Sequence, residues 1–184
     1  MTITHLTMAE LEAGLDHIRQ APGDAGALDL IVRRPSVGAR EILEEAALDR
    51  AEGLVGDTWR LRDSSRMPAG GPHPDMQLNI MSSRAVALVA QVKDRWALAG
   101  DQLYVDLDLS EVNLPPWTKL ALGTAIIEVT DQPHTGCAKF VERFGVDAMK
   151  FVNSPVGRSL RLRGLNARVL QPGTVHAGDV VHKV

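Results

Sequence analysis

The sequence predicts a mainly β domain, a barrel decorated by peripheral α-helices. Three observations lead there. The second half of the chain is a series of short apolar runs cut by Gly123, Gly164, Pro172-Gly173 and Gly178-Asp179, which is how short strands and tight turns are punctuated. Residues 103–110, LYVDLDLS, alternate with the period of a strand half-buried on one face. Helical patterns are few, short and interspersed among the strands.

Taken in order, the elements begin with a helix. Thr7 and Glu10 have the spacing of a capping box, and Leu11, Leu15 and Ile18 follow at helical intervals. The run APGDAGA at 21–27 ends that helix, so residues 1–27 read as a helix and linker ahead of a barrel domain at 28–184. LDLIVRRP reads as a strand stopped by Pro35. REILEEAALDR at 40–50 has helix-favouring residue types, but Ile42 and Leu43 fit a strand, and a strand is the reading taken. EGLVGDTW at 52–59 is a turn with a Gly-Asp pair, and residues 62–76 form a long Gly/Pro-rich loop of the kind that is functional or mobile. QLNIM is a short strand. Ser82 or Ser83 caps a helix predicted over 83–100 and stopped by Gly100.

In residues 103–110, Leu103, Val105, Leu107 and Leu109 face the core, while Tyr104, Asp106, Asp108 and Ser110 face solvent. Two carboxylates two residues apart could grip a metal, but a solvated strand face explains them as well. TKLALGTAIIEVT reads as two strands hinged near Gly123. FVERFG and DAMKFVNS are short helices, and the C-terminal stretch holds two or three strands.

Composition narrows the function. The charge of -3 offers no overall attraction to nucleic acid or anionic membranes. No apolar run is long enough to span a bilayer, and the N-terminal stretch lacks the pattern of a signal peptide, so a cytoplasmic location is expected. The single cysteine, Cys137, excludes an internal disulfide. A lone cysteine is most often a small buried apolar residue. Its setting, TDQPHTGCAKF, argues otherwise: Lys139, Arg143 and a helix start would each favour the reactive thiolate. The spacing His134-x-x-Cys137 could begin a zinc site, but the histidines at 5, 17, 73, 176 and 182 supply no matching ligands. His134 either orients the cysteine loop or bonds its backbone, and Gly136 permits a close approach. A second constellation is GRSLRLRGLNAR at 157–168. As a strand it would place Arg161 and Arg163 on one face and Leu160 and Leu162 on the other, either as a solvated face or as an anion site.

EGLVGDTW, AGDQLYVDLDLS, LALGTAIIEVTDQPHTGCAKF and GRSLRLRGLNARVLQPGTVHAGD stand in the order found in MOSC domains, named for the C-terminal domain of molybdenum cofactor sulfurases. The resemblance spans roughly residues 28–182. It implies a β-barrel of the pyruvate-kinase-barrel type that binds molybdenum cofactor of the molybdopterin type, or carries sulfur on a cysteine; some members reduce N-hydroxylated compounds. It makes Cys137 the catalytic residue and the molybdenum ligand, a soft sulfur on a metal that prefers sulfur. It also implies that Arg163 and Arg168, with Arg161, Asn166, Lys139 and His134, bind the cofactor, arginine forks suiting its phosphate. Larger relatives fuse this domain to a pyridoxal-phosphate desulfurase, for which this chain has no room. Pyridoxal phosphate is therefore not expected here, and a separate electron donor or cysteine desulfurase is the expected partner. The alternative to a reductase is a non-catalytic carrier with a persulfide on Cys137.

Overall fold

The computed structural model describes residues 4–184; residues 1–3, which begin the stretch read above as free of a signal peptide, lie outside that range. Thr7 and Glu10 exchange the bonds of a capping box at the start of α1 (Met8–Ala13). Gly14 then breaks the helix, and α2 (Leu15–Arg19) follows. Leu11 and Ile18 are buried, as their spacing requires.

The chain enters the barrel at β1 (Gly26–Arg33) and continues through β2 (Glu41–Leu43), β3 (Glu45–Asp49) and β4 (Gly53–Leu54). The stretch 40–50 is thus extended despite its helix-favouring residues. β5 (Leu78–Ser82) leads into α3 (Ser83–Ala90), whose Ala85 N–H donates to the Ser82 hydroxyl. The helix predicted over 83–100 is shorter than expected. Gln91 takes a left-handed backbone (φ 65°) and ends it, and residues 93–99 form tighter 3-10 turns closed by Gly100. β6 (Leu103–Asp106), β7 (Lys119–Leu122) and β8 (Ala125–Val129) precede three short helices, α4 (Ala138–Phe144), α5 (Val146–Asn153) and α6 (Pro155–Ser159). β9 (Leu165–Gln171), β10 (Gly173–His176) and β11 (Val180–Lys183) complete the described chain.

Seven strands close into a barrel in the order β1-β6-β5-β9-β8-β7-β11, and β11 returns to β1 through Gly26–Val181 and Ala27–Val180. The β5–β6 pair is parallel and the other barrel pairs are antiparallel. β2 continues along β1 beyond the closure, and β10, β3 and β4 form a small separate sheet. Alternate residues of each strand feed two cores. Leu28, Ile31, Ile80, Leu103, Val105 and Ile127 fill the barrel. Leu30, Val32, Met81 and Tyr104 point outward and are covered by α1, α3, α4 and α5 through Leu11, Val86, Phe140, Phe144 and Phe151. Burying each such side chain stabilises the fold by about 1.5–3 kcal/mol.

This second core corrects the reading of residues 103–110. Leu103, Val105, Leu107 and Leu109 are buried as expected, but Tyr104 is not solvated: helices cover its face, and its hydroxyl donates to the carbonyl of Trp96. Asp106 is paired with Arg84, and Asp108 accepts from the Ser110 N–H. The arginine-rich stretch is corrected too. Residues 157–163 are not strand: α6 runs to Ser159, and a turn follows in which Arg161 is left-handed (φ 49°), so Arg161 and Arg163 share no strand face. The strand begins only after Gly164 (φ 110°), where a Cβ would collide with the Ile80 carbonyl.

Candidate functional site

The thiol sits where a rigid strand hands the chain to a helix. β8 ends at Val129, and residues 130–136 run without regular structure to Cys137, the N-cap of α4. Side chains pin the whole segment. The Thr130 hydroxyl donates to the Asp75 carbonyl at 2.6 Å. The fully buried Asn166 donates its amide to the carbonyl of Gln132 at 3.0 Å. Gly136 and the Asn153 side chain exchange two hydrogen bonds, and a Cβ on Gly136 would press on Val152, so the close approach expected there is real. The long loop 62–76 packs against the same segment: Arg66 donates to Gln132 Oε1 and Arg168 reaches Asp75.

Cys137 is free and exposed. Its setting therefore departs from that of the usual buried cysteine. Iodoacetamide is expected to label the native protein as readily as the unfolded chain, checked by intact mass. Labelling that appears only after denaturation would contradict the exposed position.

His134 bonds neither the cysteine nor the loop backbone. Its Nε2 lies 2.8 Å from Oδ1 of Asp101, a fully buried carboxylate at the foot of β6. The other oxygen, Oδ2, accepts from Arg163 Nη1 at 2.7 Å. Arg163 also donates to the Ala99 carbonyl and lies 5.1 Å over the ring of Phe140. Burial works to raise the Asp101 carboxyl, but Arg163 and His134 outweigh it and the net direction is down. Burial and the Arg163 charge lower His134, against the pull of Asp101, so the imidazole is held neutral. Arg168 has protein partners as well: Glu128 at 2.8 Å and Asp75 at 2.9 Å, with the Glu128 hydrogen bond foremost in raising it. The structure thus joins His134, Arg163 and Asn166 around the base of the thiol segment, leaves Arg168 on β9, and places Arg161 on a cleft that His134 and Arg163 also line.

Lys139 reaches a different place. It lines a groove of about 270 Å³ with Glu142 and Arg143 of α4 and, from the far end of the sequence, Arg40 and Arg62. Residues 139, 142 and 143 fall on one helix face at i, i+3, i+4 spacing. Arg62 also borders a neighbouring hollow of about 180 Å³ with Arg34, His73 and Asn79. Arg34 is a structural cation: it forks onto Asp57 at 2.8 Å for each oxygen and donates to Asn79 and the Gly100 carbonyl. Among the described residues, Arg40, Arg62, Lys139 and Arg143 form no ion pair. Burial, then repulsion from Arg143 and Arg34, lowers Arg40; burial, then Arg34, lowers Arg62. Clustered, partly desolvated cations of this kind favour an anion. Arg40 and Arg62 escaped sequence reasoning. Their only signal was a local excess of arginine at 33–40 and 60–66, with nothing to connect it to residue 139.

Among the described residues no three His, Cys, Asp or Glu side chains gather to hold a metal ion, and no helix is long and apolar enough to cross a membrane. No family model and no curated protein matches the chain. Solved structures do. The YuaD protein of Bacillus subtilis is similar over 87% of this chain and 97% of its own, with a TM-score of 0.61 and 18% identity. YiiM of Escherichia coli is similar over 86% of this chain and 69% of its own, at TM-score 0.54 and 22% identity. YiiM of Geobacillus stearothermophilus covers 88% and 73%, at 0.52 and 15%. These likenesses show the fold, a closed seven-stranded mixed barrel of the MOSC-like kind with peripheral helices.

Proposed function

We propose that the chain is a MOSC-type protein that binds a molybdenum–pterin cofactor, with the Cys137 thiolate as the protein ligand to the metal, and that it reduces an N-oxygenated small molecule. The observation that carries this reading is that the helix headed by one exposed thiol supplies two of four clustered cations that form no ion pair among the described residues. Cys137 heads the helix whose next turn supplies Lys139 and Arg143 to the basic groove. The fold likeness to YuaD and YiiM, with the ordered sequence motifs, supports the family.

The residues present fit such a group. A pterin cofactor ends in a phosphate, and the groove offers guanidinium forks and an ammonium without acidic partners. Arg40, Arg62, Lys139 and Arg143 would hold that phosphate, whereas the charges of Arg163 and Arg168 are already matched by Asp101, Glu128 and Asp75. Asn166 and His134 then serve by fixing the segment that aims the thiol. When bound, the cofactor supplies a centre that accepts an oxygen atom and relays electrons. Cleaving the N–O bond consumes two electrons and two protons and releases water, so a separate electron donor is required.

The exposure of Cys137 also favours a second reading. A thiol that lines neither groove nor cleft is open to a partner protein, as a carrier of sulfur from a cysteine desulfurase would need. Elemental and pterin analysis of protein from a cofactor-producing host tests the two. Near-stoichiometric molybdenum and pterin in the wild type, with both reduced about tenfold or more in Arg40→Gln, is the expected result. Absence of both from the wild type, with a one-sulfur mass gain on Cys137, would establish the carrier instead.

A further inference from the structure

A cleft of about 400 Å³ holds none of the four cations assigned to the cofactor phosphate. It lies between the turn at 157–164 and residues 130–135 and shares no lining residue with the basic groove. Its wall has two characters. Apolar lining comes from the exposed Pro116 and Pro133 and the almost fully buried Val152 and Leu165, and charged lining from Arg158 and Arg161, with the buried Arg163 behind an ion pair to Asp101.

The arginines are only partly satisfied by the protein. Arg161 is half-buried, and burial lowers it. Its Nη1 donates to the carbonyls of Leu114 (2.6 Å) and Leu109, while Nε and Nη2 have no partner among the described residues. Arg158 donates its Nε to the Asn153 carbonyl, and its two terminal nitrogens are likewise unpartnered there. Arg163 is more than nine-tenths buried, and among the described residues its Nε is one of three buried side-chain atoms with no hydrogen-bond partner. A buried donor left unpaired costs about 1–3 kcal/mol. Arg161 also adopts a left-handed backbone uncommon for a non-glycine residue, and the turn 157–164 holds it there.

We infer that this cleft binds a small carboxylate-bearing molecule, its carboxylate forked by Arg158 and Arg161 and its apolar body laid against Pro116, Pro133, Val152 and Leu165. Charge selects a carboxylate over a phosphate. Glu111 and Asp131 line the same cleft and repel a dianion more strongly than a monoanion. An apolar floor beside two forks suits an aromatic or branched acid better than acetate.

Equilibrium dialysis of the full chain with labelled benzoate tests this independently of any cofactor. Saturable binding at one site is expected. Arg158→Gln and Arg161→Gln should each weaken it about tenfold or more, the consequence of losing a charged hydrogen bond. Arg158 is exposed, so its variant keeps the fold even if the strained turn at Arg161 proves intolerant. Arg40→Gln, in the basic groove, should leave benzoate affinity unchanged, and inorganic phosphate should compete poorly. Failure to bind benzoate, or equal affinity in wild type and Arg158→Gln, overturns the inference. Loss of binding in Arg40→Gln, or efficient displacement by phosphate, overturns it as well by moving the ligand to the groove.

Discussion

Asp101→Ala is expected to lower the free energy of unfolding by about 3–5 kcal/mol, the usual cost of removing one partner from a buried ion pair. Asp101 is fully buried and is the shared acceptor of Arg163 and His134. Its loss leaves the Arg163 guanidinium, which has 7% of its surface exposed, without a counter-charge. Urea unfolding followed by tryptophan fluorescence measures this, and a loss below about 1 kcal/mol would mean that water or rearrangement replaces the carboxylate. The same cluster sets a pH dependence. Both Asp101 and His134 have depressed folded-state pKa values, so each contributes fully above its ordinary unfolded value and loses that contribution as pH falls. Wild-type stability should therefore begin to decline below about pH 6.5, from His134, and continue to fall through the carboxylate range around pH 3.9 and below. In His134→Gln the upper part of that decline should be missing.

Cys137→Ala is expected to abolish reduction of an N-hydroxylated base, assayed with an artificial electron donor, by on the order of a hundredfold or more. That corresponds to about 2.7 kcal/mol of transition-state stabilisation. The fold should be unaffected, because the exposed Cys137 side chain makes no capping hydrogen bond and such surface changes typically alter stability by less than about 0.5 kcal/mol. The two readouts separate a chemical role from a structural one. Equal activity in wild type and variant would remove Cys137 from the reaction, whatever the cofactor content.

Much of the framework was legible because its causes are local. Thr7 and Glu10 are three residues apart, and their capping box is a property of one turn. The alternation of Leu103, Val105, Leu107 and Leu109 names the barrel face without reference to any other strand. What failed to show depended on distant neighbours. Tyr104 reads as solvent-facing until α4 and α5 are folded across it, and no residue near 104 announces them. The stretch LRLR alternates as a strand does, yet α6 runs to Ser159 before it and Gly164, with φ 110°, closes a turn after it. The basic groove is the clearest case. Arg40 and Arg62 lie between 77 and 103 positions from Lys139 and Arg143, so the anion site exists only in the fold. The carboxylate that matches Arg163 was hidden for the same reason: Asp101 precedes β6, on the opposite side of the sequence from its two partners.

The pairing of β11 with β1 is the narrowest join in the barrel. Its register holds two residue pairs, flanked by backbone bonds between Leu28 and the 178–179 turn. β1 divides its outer edge, giving residues 26–27 to β11 and residues 31–33 to β2. A nascent chain that has not yet released residues 180–183 from the ribosome has two open strand edges and an unsealed apolar interior. Closure therefore waits for residues 180–183, and the incomplete barrel must be shielded from edge-to-edge association until they are released. In the finished protein the same seam is the weakest hoop of the wall, and amide hydrogens there should exchange through local opening well before those of β5, which is held on both sides.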